Sequence, residues 1–173
     1  MLRFPVELCQ VSFMPTLLVP LDFSHGTDLL LDQATRLAQG PGSRIILLHV
    51  IEPIPTNIPV GASMDVLIAP IVENTPSQES LQQRVEALAQ PLREQGLAVE
   101  AHATIGLPVP EILDCAEREQ ADYILLGSHG RGALYHLFSG SVVTGVLKKT
   151  TRPVVVIPVP KKAQAAAAQE SAS

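Results

Sequence analysis

The sequence predicts an α/β fold: a single open parallel five-stranded sheet flanked by four helices. Two observations predict it. Five short apolar runs rich in branched residues recur along the chain, and segments of helical period separate them. Strands and helices that alternate in this way close into a parallel sheet with right-handed crossovers. A third observation sets the scale, since 173 residues suit one domain with one sizeable core.

Residues 1–14 precede the first run and read as an N-terminal extension, either an accessory arm or a start-site artefact, because Met14-Pro15 makes a natural opening for a chain that begins on a strand. The domain spans 15–160. Its first strand is Leu17–Leu21, and its first helix runs from about Thr27 to Gln39, with Leu30, Ala34, Leu37 and Ala38 toward the sheet and Gly40-Pro41-Gly42 as its stop. The second strand is Ile45–Val50. Glu52–Ser77 follows, with prolines at 53, 55, 59, 70 and 76, too long for an ordinary strand-to-helix loop. It reads as a proline-rich mobile insertion over 52–77, equally a lid, a partner-binding arm or a disordered segment.

The second helix places Leu81, Val85, Leu88 and Leu92 on one face, and Pro91 is expected to kink or stop it near Gln90. The third strand is Leu97–Ile105. A third helix opens at Pro108-Val109-Pro110-Glu111 and buries Ile112, Leu113, Cys115 and Ala116, so Cys115 is a core residue rather than a reactive thiol. Tyr123–Leu126 is the fourth strand, and Val154–Val159 the fifth. Residues 161–173, rich in alanine, form a disordered tail.

Five of the eleven glycines fall between Gly127 and Gly145, directly after the fourth strand. Glycine backbone takes positive φ, approaches a ligand closely and points unpaired N–H groups outward, which suits phosphate oxygens. Ser139, Gly140 or Ser141 then caps a helix whose positions 142, 143, 146 and 147 form an apolar stripe. The free amides and positive dipole end of that helix favour an anion. Lys148 and Lys149 lie in its last turn and suit the negative end of the dipole.

Composition narrows the partners. A formal charge of −5, with both signs mixed along the chain and no basic cluster, argues against nucleic acid. Cys9 and Cys115 show no metal-ligand spacing and are expected to be free thiols. No apolar run approaches the ~20 residues of a membrane span, and Pro5 and Glu7 break any signal peptide, so the expected location is cytoplasmic, with no membrane partner. The histidines at 25, 49, 102 and 136 form no pair or cluster and read as structural or exposed.

Gly127-x2-Gly130-x9-Gly140-Ser141 resembles the nucleotide-binding signature of the universal stress protein family. Val19-Pro20-Leu21-Asp22-Phe23-Ser24 is similar to that family's first strand and turn, and Leu47-Leu48-His49-Val50 to its second strand. Gly106-x-Pro108 and Arg152-Pro153-Val154-Val155-Val156-Ile157 match the turn before the third helix and the last strand. The resemblance covers roughly residues 15 to 160. It implies a Rossmann-like fold of the adenine nucleotide alpha hydrolase-like kind and, with the whole glycine signature kept, the ATP-binding branch of the family.

Carried over residue by residue, the resemblance implies that Pro20, Leu21 and the Val50 backbone line an adenine site, with Asp22 near the ribose and Leu126 and Gly127 beside the sugar. Gly130, Gly140, Ser141, Val142 and His129 would surround the phosphates. Mg2+ or Mn2+ would be held mainly through phosphate oxygens and water, for no acidic cluster stands by the glycine loop. The resemblance also implies a homodimer through Val154–Val159, an apolar edge otherwise left as a pairing template.

Asp22 with Ser24 suits a turn and helix cap as well as a ligand contact; its place at a strand end facing the expected cleft favours the ligand. His129 has no carboxylate or nucleophile at a recognisable spacing and reads as a phosphate contact or a solvated loop residue. Arg131 is either a phosphate clamp or a solvated arginine. No P-loop is present, so at most slow ATP hydrolysis is expected and no catalytic residue is assigned. The function implied is a nucleotide-dependent stress-response or signalling module acting on an unknown protein partner. The alternatives are a weak ATPase or phosphotransferase, or a nucleotide-independent structural or chaperone-like dimer.

Overall fold

The computed structural model describes residues 14–38, 42–53, 77–129 and 142–159. The Gly130–Ser141 loop, most of the proline-rich insertion, Cys9 and both tails lie outside the described residues. Five strands are β1 (Thr16–Leu21), β2 (Arg44–Ile51), β3 (Ala98–Ile105), β4 (Tyr123–His129) and β5 (Val154–Val159). The helices among the described residues are α1 (Thr27–Leu37), α2 (Gln78–Glu94), α3 (Pro108–Arg118) and α4 (Val142–Lys149).

The strands form one parallel sheet in the order β3-β2-β1-β4-β5, the open α/β architecture that the alternating pattern predicts. Its central strands are buried on both faces. Leu17, Val19, Ile45 and Leu47 join Leu30, Ala34, Val85 and Ala89 in one core layer under α1 and α2. Leu18, Ile46, Leu48, Ile124 and Leu126 join Ile112, Cys115, Ala116 and Val146 in the other, under α3 and α4. Cys115 is thus a core residue, and burial pushes its thiol pKa up.

Four local expectations are corrected. Leu37 is 45% exposed, because the buried stripe of α1 runs through Thr27, Leu30, Leu31, Ala34 and Ala38 and Leu37 falls beyond its rim. α2 passes through Pro91 to Glu94; the proline sits in the last turn on an exposed face, where water can take the Ala87 carbonyl it leaves unpaired. In α4 the buried positions are Thr144 and Val146, whereas Val142 and Leu147 are exposed. β4 runs three residues past Leu126, since Gly127, Ser128 and His129 stay in register with Ile157, Pro158 and Val159 of β5.

Helices α2 and α3 end alike. After α2, Gly96 at φ +87° places its N–H on the Arg93 carbonyl and the Leu97 N–H on Leu92. After α3, Gln120 does the same work at φ +52°, with its N–H on Glu117 and that of Ala121 on Ala116. A side chain is unfavourable in this left-handed conformation. Gln120→Gly is therefore expected to stabilise the fold by about 1 kcal/mol, raising the melting temperature by roughly 2–4 °C in a thermal denaturation scan.

The two sheet edges differ. Along β3, Gln82 donates to the Ala101 carbonyl (2.7 Å) and accepts from the Ala103 N–H (2.6 Å), Gln78 donates to the Ala103 carbonyl (3.0 Å), and Arg93 donates to that of Val99 (2.8 Å). Side chains of α2 so occupy groups that another strand would need. Among the described residues, no side chain covers the outer edge of β5 in this way.

Candidate functional site

β1 and β4 are neighbours yet share only two register pairs, Leu17↔Tyr123 and Leu18↔Ile124. Beyond these their carboxyl ends part. The gap lies where the chain turns back across the sheet, the place at which open α/β sheets bind ligands. A cavity of about 630 Å³ fills it, within the ~300–1,000 Å³ of small-molecule and cofactor sites.

Pro20 and Leu21 from β1 and Leu126, Gly127 and Ser128 from β4 line the cavity. Leu48, Val50 and Ile112 add apolar surface, and Val142 and Val143 bring the start of α4 to its wall. Seven residues singled out in the sequence thus lie together along it: Pro20, Leu21, Asp22, Val50, Leu126, Gly127 and Val142. His129 ends β4, and its side chain, like Gly130, Gly140 and Ser141, lies outside what is described.

The turn from β1 to α1 forms the rim. Asp22 is exposed, and its Oδ1 accepts the Ser24 N–H at 2.9 Å; Ser24 in turn accepts from Gly26 (3.4 Å, through Oγ) and Thr27 (3.0 Å, through its carbonyl). Asp22 therefore serves as a turn residue while it also borders the cavity. Phe23 holds φ +55°, a left-handed conformation that costs an aromatic residue about 1–3 kcal/mol and recurs at binding sites.

Three lining residues on this rim and beside it, Gly26, Thr27 and His49, were not among the expected site residues. Gly26 stands so close to β5 that a Cβ there would lie 2.6 Å from Cγ2 of Val159. Thr27 is 8% exposed, with its hydroxyl oxygen unpartnered. His49 sits opposite Leu21 in register and meets its carbonyl at 2.8 Å through Nδ1; a carbonyl only accepts, so Nδ1 carries the proton. A small residue followed by threonine at a helix start was the one available signal for the first two.

The charged side chains among the described lining residues are both acidic, Asp22 and Glu52. Among the described residues, what suits an anion here is the backbone amides and dipole at the start of α4, with a cation of the anion's own to offset the carboxylates. No group of three or more histidine, cysteine, aspartate or glutamate side chains among the described residues is placed to hold a metal. The ion pairs that shift pKa values stand elsewhere: Arg93 holds Glu86 below the usual carboxylate range, Arg118 does so for Glu119, and Arg152 for Glu117. None of these lines the cavity. No helix among the described residues is long and apolar enough to cross a membrane.

Comparison with known proteins agrees with this architecture. Universal stress protein MJ0577 of Methanocaldococcus jannaschii is 29% identical over 150 residues, covering 82% of this chain and 93% of that one. The solved structure of MJ0577 superposes with a TM-score of 0.62 over 84% of this chain and 96% of its own. A universal stress protein of Thermus aquaticus is 30% identical over 148 residues, covering 82% and 97%. A universal stress protein from Archaeoglobus fulgidus, solved in complex with dAMP, shares the fold at 20% identity and a TM-score of 0.56, over 84% and 98%. The sequence model of the universal stress protein family matches residues 14–158, 145 of the 173 residues. This chain belongs to the universal stress protein family.

Proposed function

We propose that this chain binds ATP in the cavity between β1 and β4 and acts as a nucleotide-dependent stress-response or signalling module. The observation that carries the reading is the convergence of Pro20, Leu21, Asp22, Val50, Leu126, Gly127 and Val142 on one cavity at the parting of β1 and β4. The apolar walls suit a purine face, and Asp22 at the rim suits ribose hydroxyls. The start of α4, with the glycine signature from Gly130 to Ser141, suits phosphates. A solved relative in complex with dAMP supports an adenine nucleotide.

Both described charges on the lining are carboxylates, so the nucleotide brings Mg2+ or Mn2+ on its phosphates, which neutralises charge that the wall does not. His129 and the loop after it complete the phosphate end. The chain acts in the cytoplasm as a homodimer joined through β5. The edge contrast supports that pairing, because α2 covers β3 while no described side chain covers the apolar β5 edge, where Val156 is 38% exposed.

Thermal unfolding with and without Mg-ATP tests the reading. A ligand at 100 times its Kd stabilises by about 2.7 kcal/mol, which raises the melting temperature by roughly 5–11 °C at this size. The shift is expected in the parent and lost in folded Gly130→Ala and Gly140→Ala variants. No shift in the parent overturns nucleotide binding.

A further inference from the structure

We infer that Phe23, held by His49 and Arg84, is a positioning residue for this cavity: it fixes the β1–α1 turn in the conformation that sets Asp22 on the rim. The inference rests on the nucleotide-binding reading above and adds to it a residue that does not touch the cavity. Phe23 is absent from the lining, while Leu21, Asp22 and Ser24 around it are all present. Its ring points the other way, partly buried against the core layer under α1 and α2.

Two groups grip that ring. The His49 imidazole lies in close contact with it, centroids 4.4 Å apart and ring planes tilted by 46°. The Arg84 guanidinium stands over the ring with Cζ 4.2 Å from its centroid, within reach of a cation–π attraction. His49 is itself tied to the carbonyl of Leu21, one residue before Asp22. Ser24, one residue after Phe23, is tied to the Asp22 carboxylate.

The left-handed φ of Phe23 persists only where surrounding structure imposes it. The grip of His49 and Arg84 on its ring supplies that restraint, and Arg84 comes from the exposed face of α2. The position of α2 thereby bears on a turn that borders the cavity.

The test measures Mg-ATP affinity by titration calorimetry and, in the nucleotide-free protein, exchange of the Ser24 amide by NMR. Phe23→Leu keeps an apolar side chain without the ring and is expected to weaken Mg-ATP about tenfold. Arg84→Gln, on an exposed helix face where folding is not at risk, is expected to weaken it about threefold, with Arg84→Lys restoring the parent value. If Phe23 acts through Asp22, then Phe23→Leu in an Asp22→Asn background weakens binding by less than about twofold further.

Ser24 amide exchange is expected to quicken about fivefold in Phe23→Leu and in Arg84→Gln, with amides in β2 and β3 unchanged. Unchanged Ser24 exchange in both variants overturns the inference, and so does a full tenfold loss repeated in the Asp22→Asn background. A parent that fails to bind Mg-ATP while Ser24 exchange still quickens overturns the nucleotide reading instead. The hold of Phe23 on the turn then stands.

Discussion

Ile124→Ala is expected to lower the free energy of unfolding by about 3–5 kcal/mol and the melting temperature by roughly 10 °C. Ile124 is fully buried, in the core layer formed with Leu18, Ile46 and Ile112. It also sits at the narrowest join of the sheet, paired with Leu18 across β1 and β4, with its N–H on the Pro153 carbonyl at 2.9 Å. Strands buried on both faces leave little room for neighbours to collapse into the void. Chemical denaturation of parent and variant measures the loss, and Leu37→Ala, 45% exposed at the end of α1, is the control, expected to cost less than about 1 kcal/mol. Equal losses in the two would remove Ile124 from its central role.

Gly26→Ala is expected to cost about 1–3 kcal/mol by overpacking and to weaken any ligand in the cavity. The backbone is not the obstacle, since φ is −83°, which any residue adopts. The obstacle is Val159, whose Cγ2 would meet the new Cβ at 2.6 Å and which, at 3% exposure, is enclosed at the end of β5. Val159→Ala removes the colliding methyl, so the double variant should recover much of the loss, with a coupling of about 1 kcal/mol or more. A cost at Gly26 that persists in the double variant would refute the collision.

The fold was legible because its signals are local. Leu17–Leu21 and Ile45–Val50 are unbroken apolar runs, and the spacing of Leu81, Val85, Leu88 and Leu92 survived the proline within it. Errors arose where a partner far along the chain decides. β5 keeps Gly127 and Ser128 in the ladder although glycine and serine favour a turn, and the packing of α4 turned Thr144 inward and Leu147 outward.

The cavity was legible in part for the same reason. Asp22, Val50 and Gly127 stand at strand ends, and strand ends can be counted. The approach of Gly26 to Val159, the grip of His49 and Arg84 on Phe23, and the burial of Thr27 each join elements through packing that no short window of sequence holds.

The narrow join between β1 and β4 also bears on how the molecule assembles and comes apart. β2 and β3 meet along eight register pairs, and β1 and β2 along six, all drawn from residues 16–105. β4 and β5 likewise pair along six within 123–159. Closing these two parts onto each other requires Thr16 to find Asp122, 106 residues away, where the Thr16 N–H meets the carboxylate at 2.8 Å. Long-range closure of this kind is the slow step of folding. A ligand that spans the gap touches both parts only after they have met. It therefore leaves the rate of assembly alone and retards separation, so occupancy of the cavity would be written into the lifetime of the folded chain.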